Sequence, residues 1–309
     1  MKCPPNDSTR RQSLQVIGGI GITATAGCLT SFSRLDSCSN SNEGGFSLDE
    51  ATVTGISNEF STPLDGLPHA TQVAVADALN ADSGESTSRG YYSPDPRTDF
   101  VVTGPEAHYS RIETTDHDGT QTTGYEYSVE IDIDESTLSD GVTVRSFTEL
   151  PAHDRESLRS AIGNSGLLHA PHYTSFSVMF AYEQTEIRDQ SVFTPDGATH
   201  YLEWDETLLR LTFEGQQTVE ITSTTVSTEL VATSPAAFTD HIGDNRGVVL
   251  DSLTTQQQDI VTQAIDETYT ECEPYSEPFN DLRERLSIRD HIAVLLVYYD
   301  GNWYFGHLY

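Results

Sequence analysis

Three segments of this chain align with one another without gaps, and their shared spacing restricts what the chain can fold into. They are DGLPHATQVAVADAL (Asp65 to Leu79), TELPAHDRESLRSAI (Thr148 to Ile162) and DSLTTQQQDIVTQAI (Asp251 to Ile265). Each has a leucine at its third place (Leu67, Leu150, Leu253) and an aliphatic residue eight positions on (Val75, Leu158, Val261). Alanine and a further aliphatic then follow (Ala78-Leu79, Ala161-Ile162, Ala264-Ile265). These offsets share one face of an α-helix, because neighbours on a helical surface lie three and four residues apart. Pro68 and Pro151 stand just after the leading leucine, where a helix start tolerates proline. The spacing therefore predicts three amphipathic helices.

Strand-like sequence follows each of them: DFVVTG, AHYSRIE and YEYSVEIDI, then TSFSVMFAYE, THYLEW and TLLRLTFEG, then HIAVLLVYYDGNWYFGHLY. Asp300-Gly301 between apolar runs is a strong hairpin signal, and Asp196-Gly197 ahead of ATHYLEW is a second. The expected fold class is α+β, with about three repeated units, each an amphipathic helix packed on a small antiparallel sheet. The units are expected over residues 51–145, 146–245 and 246–309. Residues 28–50, rich in Ser, Asn, Gly and acids, read as a flexible tether ahead of them.

The chain carries 48 Asp and Glu against 16 Lys and Arg, a net charge of -32, and Lys2 is its only lysine. That much carboxylate destabilises a compact state through self-repulsion unless salt screens it. At ~1 M salt the screening length falls to about 3 Å, which identifies the composition as one suited to brine. Nucleic acid is excluded as a direct partner, because phosphate binding needs clustered Lys or Arg.

Residues 1–27 have the layout of an export signal. Arg10-Arg11 precede an apolar run, Leu14 to Gly27, whose 14 residues fall short of the ~20 that span a bilayer. Paired arginines mark the twin-arginine kind of signal. Thr25-Ala26-Gly27-Cys28 resembles the lipobox of prokaryotic lipoproteins, with Thr25 in place of the usual aliphatic residue. The resemblance implies lipidation at Cys28, export through Arg10 and Arg11, and membrane attachment through two acyl chains, which suffice for stable anchoring. Signal and acid excess together are similar to the exported lipoproteins of haloarchaea. The helix-plus-hairpin repeat resembles modules of uncharacterised haloarchaeal proteins, a likeness that carries no activity. Of the four cysteines, Cys38 and Cys272 remain to form a possible disulfide in an oxidising exterior.

Chemistry-bearing motifs are few. There is no GxSxG, no HExxH and no Cys/His spacing for zinc, and a chain with Lys2 as its one lysine builds no phosphate loop beyond the signal. His169 and His172 in HAPH, and Asp116 to Gly119 (DHDG), read as solvated loop residues rather than ligands, since Pro171 interrupts the first and the second lacks a distal glutamate. Trp303, Tyr304, Phe305 and Tyr309 read as core before they read as a binding face. The expectation is a non-enzymatic, lipid-anchored extracytoplasmic scaffold or binding module, with no metal and no cofactor and with its ligand or protein partner unidentified. Two alternatives stand beside it: an extracellular hydrolase with scattered acids and histidines, and an accessory subunit of a membrane complex.

Overall fold

The computed structural model describes residues 43–134, 136, 138–139, 141–163, 165–194, 198–287 and 294–308. Arg10, Arg11, Cys28, Cys38, the Asp196-Gly197 turn and Tyr309 lie outside the described residues. The elements run β1 (Glu43–Glu50), α1 (Val53–Phe60), β2 (Thr62–Pro63), α2 (His69–Asn80), β3 (Glu85–Gly90), β4 (Phe100–Thr103) and β5 (His108–Ile131). Then come β6 (Val144–Ser146), α3 (Ala152–Ile162), β7 (Ser175–Ala181), α4 (Thr185–Gln190), β8 (His200–Trp204) and β9 (Thr207–Ala232). The last are α5 (Pro235–Arg246), β10 (Gly247–Val249), α6 (Thr255–Asp266), β11 (Tyr269–Cys272), α7 (Glu277–Ser287), β12 (Leu295–Tyr299) and β13 (Asn302–Leu308). The fold is mixed α+β, as the alternation of helical and strand periods requires. Among the described residues no helix is long and apolar enough to cross a membrane.

The three aligned segments form α2, α3 and α6. Val75, Leu158 and Val261 are each fully buried, and Leu67 and Leu150 nearly so. Pro68 and Pro151 occupy the cap position directly before α2 and α3, with φ already near the helical value. Thr254 caps α6 and exchanges hydrogen bonds with Gln257, a capping box that satisfies two end donors at once. Gly163 ends α3 with φ 77, a conformation that costs a residue without Cβ little.

The strands make two sheets. One has the order β10-β12-β13-β1-β11. The other has the order β2-β4-β5-β9-β8-β6, with β3 added against β9 and β7 against β5. One pairing pattern recurs in three places. The short strand ahead of the helix runs parallel to the first strand of the next hairpin, as in β2 with β4, β6 with β8 and β10 with β12. The hairpins β4-β5, β8-β9 and β12-β13 are antiparallel. The strand after each helix pairs antiparallel with a further strand, β3 with β9, β7 with β5 and β11 with β1. Asp300 (φ 47) and Gly301 (φ 87) form the expected tight turn between Tyr299 and Asn302, because a two-residue hairpin turn of this kind needs positive φ at both places.

Two boundaries are corrected. Residues 43–50 are not tether: they form β1, the strand between β13 and β11, with Phe46 and Leu48 buried in the core of the C-terminal sheet. Glycine there serves close packing rather than flexibility, since a Cβ on Gly44 would meet the Tyr275 ring at 2.9 Å. Second, residues 51–145 and 146–245 do not carry separate sheets. The long strands β5 and β9 pair with each other from Tyr109–Ala232 to Ile131–Leu209 and run through a single eight-stranded sheet. Register shifts after Tyr109, His117 and Glu126 bend this ribbon, as bulges do.

Candidate functional site

A cleft of about 520 Å³ opens between α2 and α3. Its helical walls come from the same positions of the aligned segments. Ala70, Val73, Ala74 and Asp77 of α2 correspond in the alignment to His153, Glu156, Ser157 and Ser160 of α3. The α2 wall is thus mainly apolar and the α3 wall polar. Ile221 and the end of β3 contribute further lining, with Tyr91 and Tyr92 after β3.

Two pairs of ionisable groups stand at this cleft, Arg89 with Glu183 and His69 with Glu156. Arg89 donates through Nε and Nη2 to Glu183 at 2.7 and 2.8 Å, and Nη2 also donates to Thr120 at 2.8 Å. That bidentate contact holds the Glu183 carboxyl below the usual carboxylate range and raises Arg89 further. His69 Nε2 lies 3.0 Å from Glu156 Oε2, and this hydrogen bond lowers the Glu156 carboxyl against the opposing effect of burial. The Ser157 hydroxyl donates back to the His153 carbonyl at 3.1 Å, an i−4 contact within the helix.

Beneath the α3 wall lies a buried polar knot. Asp154 is 0 % exposed and accepts hydrogen bonds from Tyr182 Oη (2.6 Å), Ser191 Oγ (2.7 Å) and the Val192 N–H (2.9 Å). Burial, and then the Asp154 charge, push the Tyr182 hydroxyl far above the ordinary tyrosine value. The His153 ring packs edge-on to Tyr182 at 4.9 Å, with Nε2 3.7 Å from Asp154 Oδ1, beyond hydrogen-bond reach. Thr71 occupies the same helical position in α2 and accepts from the Asp95 N–H at 2.8 Å. Both side chains thereby pin the loop that leads into the following hairpin.

This knot was legible in part. Leu150, Asp154 and Leu158 are spaced i, i+4, i+8, so a polar residue sits in the middle of an apolar stripe. Leu67-Thr71-Val75 and Leu253-Gln257-Val261 repeat the arrangement, and Thr71 and Gln257 are buried as well. Arg89, Glu183 and Tyr182 gave no such signal. Their meeting depends on strands β3 and β7, which the chain brings to the cleft from residues far apart.

The residues singled out from sequence fall elsewhere. Cys272 ends β11 and is disulfide-bonded, opposite Glu43 of β1 in register, while its expected mate Cys38 lies outside the described residues. His169 Nε2 pairs with Asp205 Oδ2 at 3.1 Å on exposed loops. Asp116 accepts from Thr224 Oγ1 at 2.6 Å beside the β5 bulge, and His117 bonds Thr225 at 2.9 Å. Among the described residues no group of three or more His, Cys, Asp or Glu side chains is arranged to hold a metal. Tyr304 is buried, and Trp303 and Phe305 pack partly buried against a neighbouring core, which makes these aromatics core residues. No known family, curated protein or solved structure matches this chain.

Proposed function

We propose that the protein is a non-enzymatic, lipid-anchored extracytoplasmic binding module of a halophile, exported through Arg10-Arg11, anchored at Cys28 and binding its ligand between α2 and α3. The observation that carries the binding reading is the charge pairing in the cleft. Glu183 is engaged by Arg89, Glu156 by His69, and Ser157 by its own helix, so these side chains are committed to holding the lining in place. Such a lining holds shape and polarity, which suits recognition. The disulfide at Cys272 supports an oxidising compartment, and the net charge of -32 supports brine. Cell fractionation of the native protein beside Cys28→Ser tests the anchor. The variant is expected in the soluble fraction, and an unchanged membrane fraction rejects the lipid reading.

A hydrolase is the second reading, favoured by the same cleft because His153 and Glu156 line it together. Turnover of an ester or amide substrate that disappears in Glu156→Gln would establish it over simple binding.

We further infer that the chain is three tandem units, each a short strand, a helix, an edge strand and a hairpin. Support comes from the recurring parallel pairs β2-β4, β6-β8 and β10-β12 and from α2, α3 and α6 at corresponding places. A fifth strand completes each set. The second unit takes the part of β5 that directly precedes it, whereas the first takes the latter part of β9 and the third takes β1. The first and third units thus exchange their completing strands.

A further inference from the structure

Resting on the binding reading above, the geometry points to a small organic cation as the ligand of the α2–α3 cleft: an ammonium head facing the Asp77 and Glu156 carboxylates, with an apolar body against Val73, Ala74 and Ile221. Of the charged lining side chains, Arg89 is fully occupied by its bidentate contact with Glu183, which leaves Asp77 without an arginine partner among the described residues, while Glu156 is paired with His69 and feels Arg159 only as a smaller coulombic pull. An anionic ligand would meet two carboxylates and would have to draw Arg89 away from Glu183. The hydrogen bond to His69 holds the Glu156 carboxyl toward its charged form.

Charge alone does not select a ligand in brine. With a screening length of about 3 Å at 1 M salt, a bare inorganic cation gains little over the bulk, so contact burial has to supply the rest. The α2 wall offers it. Val73 is 41 % exposed, and Ala70 and Ala74 beside it leave room that larger side chains would fill. Tyr91, 38 % exposed at the cleft and edge-on to Tyr92 at 5.0 Å, presents an aromatic face of the kind that attracts ammonium groups. The volume of about 520 Å³ suits a molecule of a few to some twenty heavy atoms. The α2 wall supplies the apolar surface of Val73 and Ala74, and each wall supplies one carboxylate, Asp77 from α2 and Glu156 from α3, a combination that suits an amphipathic guest.

The test is calorimetric titration of the full-length protein in about 2 M KCl, where surface charge is screened, with hexylammonium, hexyltrimethylammonium, hexanoate and hexanol. The two ammonium compounds are expected to bind, with hexanoate and hexanol weaker by about tenfold or more, and Glu156→Gln and Asp77→Asn are each expected to weaken the ammonium compounds by about tenfold. Val73→Trp fills the cleft from an exposed position and should abolish binding while leaving the urea midpoint near that of the native protein. Equal binding of hexanol or hexanoate, lost in Val73→Trp, overturns the cation and leaves the binding module intact. Binding unaffected by Val73→Trp, or absent for all four probes, overturns the assignment of this ligand to this cleft.

Discussion

Replacing Asp154 by alanine probes the point on which the α3 half of the structure turns. The carboxylate is 0 % exposed and receives three donors, Tyr182 Oη, Ser191 Oγ and the Val192 N–H. Each buried donor left without an acceptor costs about 1–3 kcal/mol. Tyr182 Oη has a weak substitute in Ser157 Oγ at 3.4 Å, and the Ser191 hydroxyl can rotate, but the Val192 N–H has no comparable freedom. One to two full penalties together with the lost packing give about 3–5 kcal/mol, the range found when a buried charged network is broken. That is a large share of the ~5–15 kcal/mol that holds a typical domain together. Urea unfolding at constant high salt measures it, because urea leaves the screening unchanged. Trp204 is a suitable reporter, being buried and stacked on Phe147 at 4.2 Å in the same core as Leu158 and Ile162. Thr71→Ala, which removes one acceptor at the corresponding place in α2, should cost about 1–2 kcal/mol. A loss below about 1 kcal/mol in Asp154→Ala would mean that the three donors find acceptors elsewhere and that the knot does not hold the α3 half together.

Three other outcomes follow from the same structure. Burial raises the hydroxyls of Tyr92 and Tyr182 far above the ordinary value and that of Tyr269 to about 12, so the folded state holds these protons longer than the unfolded chain does. Stability should be full below pH ~10 and fall above it, by about 1.4 kcal/mol per pH unit for each of Tyr92 and Tyr182, and a flat urea midpoint from pH 9 to 11 would contradict this. Phe46→Ala, in a strand near the N-terminus, empties a fully buried site beside Val261, Phe279 and Val297 and should cost about 3–5 kcal/mol. Hydrogen exchange should then accelerate in β11 and β13 and not in β4; the reverse order would reject the exchanged strand. Dialysis from molar salt to ~10 mM stretches the screening length to about 30 Å and exposes the net charge of -32 to itself, so thermal unfolding should move down steeply; an unchanged midpoint would remove the halophilic reading.

Much of this molecule is written in short-range spacing. The i, i+4, i+8 stripes of α2, α3 and α6 determine both that helices form and which face is buried, because helical geometry places those residues together whatever surrounds them. Asp300-Gly301 determines the last hairpin for the same reason, as positive φ at two successive residues leaves few other turns. Tertiary structure alone decided which strand completes which sheet. Nothing local tells Glu43–Glu50 that its partners are β11 and β13 near the other end of the chain, or that β5 and β9 continue through one sheet. Strand pairing is settled by burial of edges and faces across long loops, and a glycine pair reads alike in a tether and beneath the Tyr275 ring. The cleft is decided at that same level, since its walls belong to two helices whose own sequences specify only the faces they turn toward the core.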